Sequence, residues 1–269
     1  MLYYKELNNF YKLLEVEVIN NNGIFYGTYP CERLLASYYE KKYNNLPIHK
    51  FYDINYNKET IDRFIKSTNI KIAFKHGNDH INFYSFINNN TNIINSLNIN
   101  IEITISNDEP PYKHNNYSCY GLLLSKINDK IEFHYSKNTG TLYDNIENAT
   151  NIIIKDIIQK KTNYIRGFIS NYEIFNDIYK MIDNGWKIKN LPYNVYYNDK
   201  DENCCPICLD TLNNTEIASI YEYHKQFHNY KLHHKCLIKF LATQKNKEYF
   251  KCPYRYKIDF RICHLSMIL

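Results

Sequence analysis

Hydrophobic and polar positions follow two different spacings along the first 190 residues. In the run 99–105, isoleucine alternates strictly with polar residues, which is typical of a half-buried β-strand. Four other segments have the character of helices. The last two begin with capping signals, and Gly185 stands where the fourth should end. The predicted helices are 31–43, 60–66, 142–161 and 171–184.

Three pairs of apolar runs, each pair separated by Asn, Asp or Gly residues, predict β-hairpins. These residue types tolerate the positive φ angles that tight turns require. The pairs are 14–19 with 24–29, 70–75 with 81–87, and 117–125 with 130–136. Together with the helices they predict a mixed α+β domain over residues 1–190. The segment 191–202 loses helical periodicity and gains Asn and charge, so we predict a linker there and a small second domain at 203–269.

The composition of the 269-residue chain, 44% hydrophobic and 23% charged, is ordinary for a soluble globular protein. No segment is long and apolar enough for a membrane span, and the first ten residues are too polar for a secretory signal. We therefore expect a cytoplasmic or nuclear protein, whose thiols stay reduced or bind metal. The net charge of +5 is spread evenly, so neither a membrane nor a nucleic acid is an expected partner.

The cysteines are concentrated at one end of the chain, because six of the eight lie beyond residue 200. Cys205 and Cys208 form a Cys-x-x-Cys pair, and His233 and Cys236 form a second pair with the same spacing. A structural zinc ion binds four thiolate or imidazole ligands in a tetrahedron, and two such pairs supply them. The sequence therefore predicts one Cys3His zinc site. Outside this region, two isolated cysteines are predicted to be small buried hydrophobes, at Cys31 and Cys119.

The order of these residues resembles the RING finger. Cys-Pro-Ile-Cys-Leu at 205–209 is similar to the usual RING opening, and Leu-His-x-x-Cys-Leu at 232–237 is similar to its middle. Phe240 stands where RING fingers place a large aromatic residue, and Cys252-Pro253 resembles the closing Cys-Pro. The resemblance covers about a fifth of the chain. The closing stretch is also similar to the end of poxvirus RING ligases, which favours a protein of a large DNA virus.

The resemblance implies a second zinc ion, for which the chain offers an incomplete ligand set. His224, His228 and Cys252 are the candidate ligands, and the last RING position is occupied by Arg255, which keeps its proton. Three arrangements of the second site are open: a substitute ligand, a water molecule as the last ligand, or a lobe that folds without metal. The substitute ligands would come from Cys263 or His264.

RING fingers act as ubiquitin ligases, and the resemblance implies the same activity here. Ile207, Phe240, Pro253 and Arg255 would bind a ubiquitin-conjugating enzyme that carries ubiquitin, and the domain 1–190 would recruit the protein to be modified. Catalysis would be positional, without a covalent intermediate on the chain. The alternative is a non-catalytic zinc-stabilised protein-interaction module, a degenerate RING.

Overall fold

The structure is a computed structural model that describes residues 2–43, 68–75, 77–105, 117–135, 146–165, 172–191, 194–198, 203–213, 215–220 and 230–244. It is a mixed helix and strand protein, as the sequence predicts. The chain divides into two compact units, Met1–Gln159 and Lys160–Leu269. Within the described ranges, no helix combines the length and the apolar character needed to cross a membrane.

The first unit is built around a mixed five-stranded sheet with the order β3-β2-β1-β4-β5. Strands β2 and β3 are parallel, and the other neighbours are antiparallel. Two helices connect β2 to β3, because parallel neighbours need a crossover. The elements are α1 (Leu2–Asn20), β1 (Ile24–Tyr26), α2 (Thr28–Tyr43), β2 (Asn69–Phe74), α3 (Gly77–Asn89), α4 (Thr91–Ser96), β3 (Asn100–Ile105), a 3₁₀ turn (Ser118–Gly121), β4 (Leu122–Ile127), β5 (Lys130–Tyr135) and α5 (Ile146–Ile158).

Large aromatic side chains form the core of this unit. Phe10 of α1, Phe25 of β1, Phe74 of β2 and Phe83 of α3 are all buried in one cluster. Each fully buried side chain of this size contributes about 1.5–3 kcal/mol relative to an exposed one. The cluster therefore fixes α1 and the β2–β3 crossover on the sheet.

Two of the three predicted hairpins are wrong. Residues 14–19 belong to α1, which ends where Asn22 adopts a positive φ of 55° and the Gly23 N–H donates to the Val18 carbonyl at 2.8 Å. This is a Schellman helix end, in which the left-handed residue stops a helix instead of reversing a strand. Residues 81–87 are helical as well, since they lie inside α3.

The remaining predictions for the first unit agree with the structure where it describes them. The third hairpin is confirmed, because β4 and β5 pair around Asn128 and Asp129, whose φ angles are 47° and 64°. Strand β3 confirms the alternating run, and α2 and α5 confirm two helices over their described residues. The buried Cys31 and Cys119 also agree with expectation. The predicted helix 60–66 lies outside the described residues.

The second unit combines two small sheets and two helices. Strands β6 and β7 are parallel and are joined through α6, while β8, β9 and β10 form an antiparallel sheet with the order β10-β9-β8. Helix α6 confirms the fourth predicted helix, and Gly185 follows it with φ 84°. The elements are β6 (Lys161–Asn163), α6 (Tyr172–Asp183), β7 (Lys187–Lys189), β8 (Asn194–Asn198), β9 (Thr215–Ile220), β10 (Tyr230–His233) and α7 (His234–Ala242).

Helices α6 and α7 pack against each other inside this unit. Phe175 and Ile178 of α6 and Leu237 and Leu241 of α7 are buried. The division of the chain therefore differs from the boundary predicted near residue 200, because α7 shares a core with a helix that precedes it. The segment 191–202 is not a linker throughout, since β8 lies within it and pairs with β9.

Candidate metal centre

Four side chains of the second unit converge at the ends of separate elements. Cys205, Cys208, His233 and Cys236 each offer one ligand atom, and these atoms all lie within 4.8 Å of one another. In a tetrahedral zinc site, two sulfurs would lie about 3.8 Å apart and a sulfur and a nitrogen about 3.6 Å apart. The four residues that the sequence singled out are thus arranged closely enough to hold one metal ion.

The first ligand pair lies on a tight backbone turn. The Leu209 N–H donates to the Cys205 carbonyl at 2.8 Å, and the Cys205 N–H donates to the Asp210 carbonyl at 2.8 Å. A β-bridge between Cys204 and Thr211 closes the base of this turn. Leu209 adopts a left-handed φ of 67°. We call residues 204–211 the knuckle; it turns the chain so that both cysteines belong to the four-residue group.

The second ligand pair lies at a junction between a strand and a helix. His233 is the last residue of β10 and precedes α7, and Cys236 is in the first turn of that helix. The pairing of β10 with β9 fixes the position of this junction.

A backbone hydrogen bond sets the tautomer of the neutral His233 ring. Its Nε2 lies 2.9 Å from the carbonyl oxygen of Thr211 in the knuckle. A carbonyl only accepts, so Nε2 carries the proton and donates it, which leaves the Nδ1 lone pair free. Nδ1 lies 3.2 Å from the Cys208 Sγ and 3.9 Å from the Cys236 Sγ. The imidazole therefore presents its unprotonated nitrogen to the sulfurs, as a metal ligand must.

The three thiols resist ionising together. Burial raises the pKa of Cys236 to about 12, and the neighbouring Cys208 and Cys205 add to this effect. Burial also raises the pKa of Cys208. Burial acts in the same direction on Cys205, but backbone N–H groups, including that of Ile207, outweigh it and lower the pKa. Three adjacent thiolates are stable only with a cation between them, which is the role a bound dication would fill.

Two residues next to these ligands stand outside the group. Cys204 is exposed, and His234 is buried with its Nδ1 3.6 Å from the Glu216 Oε2. The nearby His234 ring lowers the pKa of Glu216. Neither residue is among the four described side chains that could share an ion.

The residues predicted to bind a conjugating enzyme are described only in part. Ile207 in the knuckle and Phe240 on α7 are both half-buried. Leu209, whose side chain is 76% exposed, is a further residue of this surface. The sequence carries no signal for it, because its backbone adopts a left-handed φ of 67°, which Leu rarely does. The other predicted site residues lie outside the described parts of the chain: Pro253, Arg255, His224, His228 and Cys252.

Comparisons with protein-family models, with curated proteins and with solved structures found no match for this chain. The assignment of this site consequently depends on the geometry and chemistry of its own residues.

Proposed function

We propose that the protein is a RING-type ubiquitin ligase that docks a ubiquitin-conjugating enzyme beside a structural zinc ion. The observation that carries this proposal is the convergence of Cys205, Cys208, His233 and Cys236 in the order typical of a RING finger. The His233 tautomer supports it, because Nδ1 is available as a ligand while Nε2 is held by Thr211.

Zinc is the metal that this donor set fits best. Three thiolates and one imidazole form a common structural zinc site, and a closed four-ligand shell leaves no position for water or substrate. The ion would join the knuckle to the β10–α7 junction. Its contribution would be to folding, for which structural zinc in small modules is worth about 10–16 kcal/mol at neutral pH.

The docking surface would combine the knuckle with α7. Leu209 exposes most of its side chain, and Ile207 and Phe240 each expose part of theirs. A few apolar anchor residues commonly provide most of the binding energy of a protein interface. Exposed Leu at a positive φ is otherwise an unfavourable choice, since Gly fits that conformation without strain.

The chain would contribute position rather than chemistry to ubiquitin transfer. Holding a charged conjugating enzyme near a substrate lysine makes the attack on the thioester effectively intramolecular. The amine of the substrate attacks the thioester carbonyl, ubiquitin passes to the lysine, and the thiol of the conjugating enzyme leaves. The first unit would recruit the substrate protein.

The direct test is an autoubiquitination assay on the full chain with zinc, ATP, activating enzyme, ubiquitin and a broad panel of conjugating enzymes. We expect polyubiquitin from the wild type and at least a tenfold loss with Ile207→Ala. Ile131→Ala is the matched control, because Ile131 is an exposed isoleucine of the first unit. The proposal fails if no enzyme of the panel yields a product, or if both variants lose activity equally.

A non-catalytic zinc-stabilised interaction module is the second candidate. The observation in its favour is Arg255, a non-ligand at the position where a RING finger closes its second zinc site. This candidate predicts one zinc per chain by atomic absorption, metal-dependent stability and no polyubiquitin. Two zinc ions together with polyubiquitin would reject it.

A further inference from the structure

The small parallel sheet of the second unit places lysines side by side. In its register, Lys161 lies opposite Lys187, and Asn163 lies opposite Lys189. Register partners of neighbouring strands lie about 4.8 Å apart, and residues i and i+2 of one strand lie about 6.6 Å apart on the same face. We call these four residues the lysine face.

The two faces of this sheet differ in burial. Thr162 is buried and Ile188 half-buried, which identifies their side as the one that packs inward. Lys187 and Lys189 are exposed on the other side, with Lys161 and Asn163 half-buried beside them. The lysine face is therefore an outer surface made only of ammonium and amide side chains.

The strand register places positive charges side by side, which locally opposes the stability of the sheet. Two lysines directly opposite each other repel, and such pairs destabilise a sheet. Glu216 lies near this charge: the adjacent His234 ring lowers its pKa most, and Lys187 lowers it further. Lysine ammonium groups brought side by side form a local concentration of positive charge, which can attract an anionic partner.

We propose that the lysine face binds the phosphodiester backbone of a nucleic acid. A chain with evenly spaced negative charges matches cations repeated along and across two strands. Protein–nucleic acid interfaces are polar and strongly positive. Interfaces with acidic proteins usually need an apolar or aromatic anchor and are poor in lysine, and the lysine face contains no apolar residue. This inference does not depend on the proposed ligase activity.

The even distribution of charge along the sequence led us to expect that nucleic acid is not a partner, and the lysine face points the other way. Lys161 and Lys187 stand on opposite sides of α6 in the chain, so no window of the sequence contains a basic stripe. The parallel pairing of β6 with β7 brings them together. Charge clustering of this kind is visible only after the strands are paired.

The test is fluorescence anisotropy of the full chain with a labelled 20-nucleotide single strand and the matching duplex, between 50 and 200 mM NaCl. Each phosphate contact contributes about 0.7 to the slope of log K against log salt for a single strand and about 0.9 for a duplex. We expect the variant Lys161→Gln/Lys187→Gln/Lys189→Gln to reduce the single-strand slope by about 2. Over this salt range the wild type would then lose about twentyfold more affinity than the variant. The preferred form of nucleic acid is the probe whose slope change, divided by about 0.7 per contact for the single strand or about 0.9 for the duplex, corresponds to more phosphate contacts.

The control variant has the same net charge. Lys12→Gln/Lys75→Gln/Lys155→Gln removes three exposed lysines of the first unit and should leave the slope unchanged. Removal of the opposed lysines should keep or raise the melting temperature. If the triple variant unfolds, Lys189→Gln alone should still reduce the slope by about 0.7, because its register partner is Asn163.

Three results would overturn the inference. The first is a wild type that does not bind either probe at 50 mM salt. The second is an equal loss of slope in the control variant, which would assign binding to net charge. The third is competition by polyglutamate as strong as by unlabelled oligonucleotide, which would assign the lysine face to acidic proteins.

Discussion

The metal centre should determine whether the knuckle is ordered. Cys236→Ala removes one of the four ligands, and Cys204→Ala removes a neighbouring exposed thiol that is outside the group. The comparison isolates ligation, because both variants lose one sulfur within the same small region. We expect the first variant to lose its zinc and the second to retain it.

The size of the expected loss follows from the interactions that would still hold the knuckle without the ion. Structural zinc contributes about 10–16 kcal/mol, which is comparable to the whole stability of a typical domain. In and next to the knuckle, Cys205 and Leu212 are buried, whereas Cys204, Cys208 and Leu209 are exposed. Helices α6 and α7 keep their shared apolar core in either variant. The loss should therefore be local to the knuckle.

Hydrogen exchange measures this directly. In the wild type, the N–H groups of Cys205, Leu209 and Leu212 all donate to backbone carbonyls of the knuckle region. With Cys236→Ala, we expect their protection to fall at least a hundredfold while the amides of α6 stay protected. A Cys236→Ala protein that keeps one zinc per chain and the same protection as Cys204→Ala would refute the reasoning.

Two further predictions concern protonation and a buried charge. Metal binding must displace protons from at least the two thiols whose pKa desolvation raises, including Cys236 at about 12, so zinc affinity should rise by at least about a hundredfold per pH unit near neutrality; competitive titrations at pH 6.5 and 7.5 that give equal affinities would contradict this. In the first unit, the buried Glu15 carboxylate accepts from the Tyr29 hydroxyl at 2.8 Å and from the Arg33 Nε at 2.6 Å. Glu15→Ala should destabilise the protein by about 2–4 kcal/mol in urea unfolding, whereas exposed Glu6→Ala should change little. Equal unfolding midpoints for the two variants would be evidence against a structural role for this ion pair.

Local signals in the sequence identify strands and turns, but they do not always show which elements a turn connects. Asn22-Gly23 and Asn128-Asp129 both provide left-handed residues, yet one ends a helix and the other joins two strands. The residues before the turn decide between these outcomes. Leu7, Leu14 and Val18 are buried at spacings that fit one face of a helix, and this pattern begins well before residue 14.

The sequence predicts the two ligand pairs of the candidate metal site, but it does not predict how the pairs come together. Each pair has a local spacing that turns two ligands toward one point. The approach of the pairs depends on the β9–β10 pairing, and the proton on His233 depends on a carbonyl of Thr211. Every residue has a backbone carbonyl, so the sequence does not show which one accepts this hydrogen bond. The conformation of the exposed Leu209 is equally hard to predict, because its positive φ does not follow from the residue type.

The shared core of α6 and α7 changes what counts as the metal-binding module. A fragment beginning at residue 203 would keep all four ligands but would lose β8 and α6. It would expose Leu237, Ile238 and Leu241, which are all fully buried in the unit. At about 1.5–3 kcal/mol for each side chain, this loss is comparable to the net stability of a small domain. Zinc alone would then have to fold the fragment, whereas in the whole unit it would act on a scaffold already ordered by α6.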